Sequence, residues 1–167
     1  MNAPGDAVKP LGPHPIASLG KRAVAEGVGT AFLLATVVGS GIMGANLSEG
    51  IPALALLANS LATGAGLTVL IVSLGPVSGA HFNPVVTLAD TVTGNRPWSE
   101  VPAYVGAQLL GAVAGVGLAH GMFGEALFSV SRQARGGAGS FLSEFIATFG
   151  LLVVIGSCSR RRPEAVP

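Results

Sequence analysis

The sequence predicts an all-α membrane protein with four transmembrane helices and one re-entrant half-helix, and three observations predict it. Half of the 167 residues are hydrophobic and only 10% are charged, where an ordinary soluble domain carries about a quarter. Charges avoid four stretches long enough to span, since about 20 mostly apolar residues cross about 30 Å of hydrocarbon. The second stretch outlasts one crossing and ends in a segment that breaks one helix and caps another.

The first fifteen residues hold Pro4, Pro10, Pro13 and Pro15 and cannot sustain a helix, so residues 1–21 read as a disordered tail. They do not read as a cleaved signal, because the apolar run after Lys21 and Arg22 is long enough to span. Gly27 to Ala45 carries no charge and predicts a first span over about 22–45. Asn46 to Pro52 supplies turn chemistry. Ile51 to Ala80 is also uncharged and gives a second span over about 53–75, which Pro76 and the small residues after it are expected to end. A short helix over about 84–93 follows, then Thr93 to Pro97 as a turn. Val101 to Met122 has only His120 to titrate and predicts a third span over about 99–123. Gly136 to Cys158 has only Glu144 and predicts a fourth over about 140–158. Residues 159–167 form a basic tail.

Twenty-five glycines suit helices that approach closely in lipid, where small residues make the contacts. Cys158 stands alone, so neither a disulfide nor a metal site is expected, and no cofactor is indicated. A net charge of +1 gives no reason to expect nucleic acid. The three histidines, one cysteine and eight acids form no cluster of nucleophile and base, which argues against an enzyme. Membrane lipid is the expected surrounding.

Lys21, Arg22, Arg96 and Arg160 to Arg162 fall on one side of the four spans, against Arg132 and Arg135 on the other. Basic residues in short loops stay cytoplasmic, so both termini are expected there. Ala25-Glu26-Gly27-Val28-Gly29-Thr30-Ala31-Phe32-Leu33-Leu34 also aligns with Ser143-Glu144-Phe145-Ile146-Ala147-Thr148-Phe149-Gly150-Leu151-Leu152, matching Glu, Thr and both Leu. Three spans separate the two starts, so the second copy enters the membrane inverted.

The chemistry concentrates in Gly75-Pro76-Val77-Ser78-Gly79-Ala80-His81-Phe82-Asn83-Pro84-Val85-Val86-Thr87. A chain that turns within the membrane must be buried in protein or line a wet cavity, because unsatisfied peptide groups there cost several kcal/mol. Asn83 followed by Pro84 fits a helix N-terminus, with Asn as cap and Pro at the first helical position. The positive end of that short helix, about half a charge, would face the cavity and repel cations. Taken alone, Asn-Pro is a common turn signal; its position after a span that stops early is what gives it weight.

Ser78 to Thr87 is similar to the Ser-Gly-Ala-His-x-Asn-Pro-Ala-x-Thr signature of the aquaporin and aquaglyceroporin family, the major intrinsic proteins, with Val85 in place of Ala. Ala25-Glu26 with Gly29-Thr30, Tyr104 with Ala107-Gln108 and Gly111-Ala112, and Glu144 with Thr148 resemble the family's first, third and fourth helices. The chain looks more like bacterial members found beside arsenic-resistance genes than like water-only channels, which implies a bacterial inner membrane. The resemblance implies an aquaporin-like right-handed helical bundle, truncated to its first half. It implies that Asn83 donates to passing solute, that the carbonyls of Gly79, Ala80 and His81 accept from the same file, and that Ser78 and Pro84 shape the loop. Glu26 and Glu144 would pin re-entrant loops from behind, or be acids held by backbone groups for folding alone. Val85 would sit where two half-helices meet, and a small Thr63 at a filter position implies a wider pore. His81 either gates by protonation or hydrogen-bonds a neighbouring helix; Gln108 would bond between helices, and His120 would lie at the interface.

The family pattern continues with two more spans, a second Asn-Pro-Ala loop and a filter arginine, none of which occurs in these 167 residues. Two functions follow as expectations. One is a passive channel for water or small neutral solutes such as glycerol or arsenite, completed by a homo-oligomer or by a chain carrying the second half. The other is a truncated, transport-incompetent fragment or a modulatory subunit.

Overall fold

The computed structural model describes residues 17–127, 129 and 136–161, the last three by backbone alone. Residues 1–16 and 162–167, and Arg132 and Arg135 of the fourth connection, lie outside it.

Helix α1 runs Leu19–Leu47, three residues earlier than the uncharged stretch predicts. Arg22 belongs to its first turn, where its amide donates to the Ser18 carbonyl at 3.0 Å and its Nε to the Ala17 carbonyl at 3.0 Å. The guanidinium is neutralised across the bundle by Glu100, Nη1 to Oε2 at 2.7 Å, so the charge does not end the helix. The expected tail is shorter by those residues.

Helix α2 spans Pro52–Ser78 with its proline in the first turn. It runs through Pro76 to Ser78, which moves the expected end from about residue 75 to the small residues after the proline. A proline in the last turn forfeits one bond, yet its fixed φ is helical, and the next turn closes through Gly79 N to the Gly75 carbonyl at 2.9 Å. The stop is Gly79, left-handed at φ 93°, a conformation that glycine adopts without steric cost.

Helix α3, Pro84–Val92, is the predicted short helix, ending one residue earlier with Thr93 as its C-cap. A 3₁₀ turn, Trp98–Glu100, leads into α4, Val101–Phe123. Helix α5, Ala138–Arg161, overruns its predicted range at both ends. Four stretches, Leu19–Leu47, Pro52–Ser78, Trp98–Phe123 and Ala138–Cys158, are long and apolar enough to cross a membrane.

Helix α1 is central, packed against α4 on one side and α2 on the other, while α3 rests on α4 and lightly on α5. Small residues make the α1–α4 crossing: a Cβ at Gly111 would collide with the Gly27 carbonyl and one at Gly115 with that of Ala31. Such approach is how helices gain packing energy in lipid, where apolar surface gives no preference for protein over solvent. A polar tie fixes α2 on α1, with Asn59 Nδ2 donating to the Val37 carbonyl at 2.6 Å and to Ser40 Oγ at 2.9 Å. Elsewhere α2 and α5 expose large apolar side chains, Leu56, Leu61 and Val72 on one and Phe141, Phe145 and Phe149 on the other.

Candidate functional site: a clamped re-entrant loop

Between α2 and α3 the chain reverses over Gly79 to Asn83, and two non-glycine residues there hold left-handed backbone, Ala80 at φ 50° and Phe82 at φ 47°. Such conformations cost on the order of 1–3 kcal/mol each and persist only where the surroundings over-determine them. Glu26 of α1, fully buried, does so. Its Oε1 accepts the Ser78 hydroxyl at 2.7 Å and the His81 amide at 2.9 Å. Its Oε2 accepts the Phe82 amide at 2.7 Å and Gln108 Nε2 at 2.8 Å. The Ala80 amide donates to Ser78 Oγ at 3.1 Å.

Three successive N–H groups therefore converge on one carboxylate and its hydroxyl partner, a backbone nest for an anion. Because these N–H groups face Glu26, the peptide carbonyls of the loop face away from it. Among the described residues no protein donor bonds the carbonyl of Gly79, Ala80 or His81. Phe82 anchors the turn from within, 5% exposed, with its ring seated where a Cβ on Gly29 would have to be.

Asn83 caps α3, its side-chain oxygen accepting the Val85 amide at 2.8 Å. With Oδ1 so engaged, the Nδ2 hydrogens remain to donate, and Asn83 is only half-buried. Pro84 occupies the first helical position. Val85, in the same turn, is 42% exposed. The His81 ring sits between α3 groups, Nδ1 at 3.0 Å from Thr87 Oγ1 and Nε2 at 3.4 Å from Asp90 Oδ2. Gln108 bridges α1 and α3, since Nε2 also donates to Thr87 Oγ1 at 3.0 Å.

Two candidate residues lie away from this cluster. Thr63, half-buried on α2, has its hydroxyl secluded without a protein partner among the described residues. Glu144 is exposed on α5, and no hydrogen bond among the described residues joins it to the Gly79–Asn83 loop. The two acids of the sequence repeat thus sit in opposite surroundings, one saturated with donors and one exposed.

Asp90 and Glu100, which no motif of the sequence singles out, and Arg96, which there marks only the topology, gather beside the loop. Arg96 contacts Asp90 Oδ2 from Nε at 3.3 Å and Glu100 Oε2 from Nη1 at 2.9 Å. The spacing of Arg96 and Glu100 at i,i+4 was the available signal; their ties to α1 and α2 are long-range.

A family model for the major intrinsic proteins matches residues 16–165. The chain belongs to the major intrinsic protein family. Among curated relatives, it is 49% identical over 149 residues to aquaglyceroporin AqpS of Rhizobium meliloti (strain 1021), covering 89% of this chain and 64% of the relative. It is 38% identical over 139 residues to nodulin-26 of Glycine max, covering 81% and 49%. With aquaporin NIP1-1 of Oryza sativa subsp. japonica the identity is 37% over 141 residues, covering 81% and 47%. The chain spans between about half and just under two thirds of the length of these relatives. As a major intrinsic protein it has an all-α, aquaporin-like membrane fold, and the clamped loop falls on the family signature, Ser78 to Thr87.

Proposed function

We propose that this chain supplies half the wall of a passive transmembrane channel for water or small neutral solutes, glycerol or metalloid hydroxides such as arsenite. The observation that carries the reading is the direction of the loop's peptide groups. With every N–H of Ala80 to Phe82 turned to Ser78 and Glu26, the opposite edge offers a ladder of carbonyl acceptors. Asn83 adds an amide donor at the N-terminus of α3. A neutral molecule with both donors and acceptors can exchange its hydration for such an edge, whereas the positive helix end disfavours a cation.

Thr63 would leave the filter wide, and Val85 would meet the tip of an inverted partner half-helix. Glu144 would clamp that partner's loop as Glu26 clamps this one, which accounts for an acid exposed on a membrane helix. Copies of this chain inserted in one orientation cannot supply that inverted half-helix, so the rest of the wall comes from further helices that carry the second half. The setting is a bacterial inner membrane with both termini cytoplasmic, supported by the distribution of Lys and Arg and by the bacterial aquaglyceroporin among the relatives.

The test is stopped-flow permeability of liposomes to water, glycerol and arsenite. One set holds this chain, and another holds this chain through Cys158 fused to the remainder of the Rhizobium meliloti relative. The fusion should pass at least one of the three solutes faster than empty liposomes, with protons excluded. A folded, inserted fusion as impermeable as bare lipid would refute the proposal.

A further inference from the structure

We propose that Arg96 is a positioning residue for the re-entrant loop, acting through the carbonyl of Ser78. That carbonyl is the last of α2 and, at a helix end, has no intrahelical donor. It receives two donors from elsewhere in the chain: Arg96 Nη2 at 3.2 Å and the Tyr104 hydroxyl at 2.8 Å. The guanidinium also lies over the Tyr104 ring, 3.9 Å from its centroid, so the two donors brace each other. A cation at this point complements the negative end of the α2 dipole.

Arg96 can be held there because its charge is matched. Its side chain is 9% exposed, and a cation so enclosed needs partners. Asp90 at the end of α3 and Glu100 before α4 provide them, and Arg22 of α1 balances Glu100 from the far side. One guanidinium thus ties α2, α3 and α4 at the peptide that precedes the left-handed Gly79. Glu26 fixes the N–H side of the loop, and Arg96 fixes the carbonyl from which the reversal starts. With one donor gone, the Ser78 carbonyl keeps only the Tyr104 hydroxyl, and the reversal that aims the carbonyls of Gly79 to His81 is held less firmly. The positioning role rests on geometry; only its consequence for flux rests on the proposed channel function.

The sequence provides a selective probe, because Ser40-Gly41 and Ser78-Gly79 are its two Ser-Gly pairs. In the full chain in lipid nanodiscs, ¹³C-carbonyl serine with ¹⁵N-glycine labels two peptide bonds, Ser40 on α1 serving as internal reference. Arg96→Ala should move the Ser78 carbonyl resonance towards weaker hydrogen bonding and leave that of Ser40 in place. Tyr104→Phe should move it in the same direction. If Arg96→Ala does not fold, Arg96→Lys supplies the reading: it keeps the charge but lacks the fork, so the Ser78 resonance should move while the helix content stays native. An unmoved Ser78 resonance in whichever of these Arg96 variants folds would overturn the proposal. In the fusion channel Arg96→Ala should lower water flux several-fold. A moved resonance with unchanged flux would retain the positioning role and count against the loop as the conducting wall.

Discussion

The Glu26 carboxylate accepts the backbone amide of Phe82 at 2.7 Å, so an acid on the first helix determines which way a loop 56 residues later presents its peptides. The same carboxylate takes three further donors. Replacing it with an amide keeps the shape and removes half the acceptors. Glu26→Gln should destabilise the chain by about 1–3 kcal/mol for each donor left unpaired. Reversible unfolding in mixed detergent micelles measures this. A variant as stable as the parent would mean that the nest does not need its anion.

Close helix contact makes a second, graded expectation. Gly29→Ala intrudes on the Phe82 ring and Gly111→Ala on the Gly27 carbonyl, whereas nothing lies within 4 Å of a Cβ at Gly106. The first two should each cost about 1–3 kcal/mol as overpacking. Gly106→Ala should be neutral or slightly stabilising, since alanine is the better helix former. Equal effects at all three positions, read from the same unfolding curves, would argue against the α1–α4 register.

Much of the architecture was legible because each helix announces itself by missing charge, and the short α3 by Asn83-Pro84. What escaped were features decided at long range. The start of α1 depends on Arg22 meeting Glu100, which no local pattern encodes. The end of α2 is expected at Pro76 and the small residues after it, but which of them stops the helix depends on how many bonds remain for the proline to break, and the stop is Gly79. Gly29 stands out in the sequence only through the resemblance of the first helix, and the seated Phe82 ring gives it a physical purpose. The family signature made Ser78 stand out and the first-helix resemblance Glu26, but the Arg96 cluster lies outside both.

Orientation can be tested without any transport assay. Reporter fusions after Cys158 should be active in the cytoplasm, and fusions between Arg132 and Gly139 in the periplasm, because six of eight flanking Lys and Arg residues favour that arrangement. Activity of the Cys158 fusion only in the periplasm would reverse the assignment.

The most direct test of the central claim, that the clamped loop and the cap of α3 face the conduction path, is Asn83→Asp in the fusion channel. Aspartate keeps the oxygen that accepts the Val85 amide and is as good an N-cap as asparagine, so the fold should survive. What changes is the other side of the group, where a carboxylate replaces the amide donor at the positive helix end. Stopped-flow water flux and proton leak, measured on the same liposomes, should show slower water passage or weakened cation exclusion. A folded variant with water flux and proton leak both equal to the parent's would place Asn83 outside the pore and contradict the account.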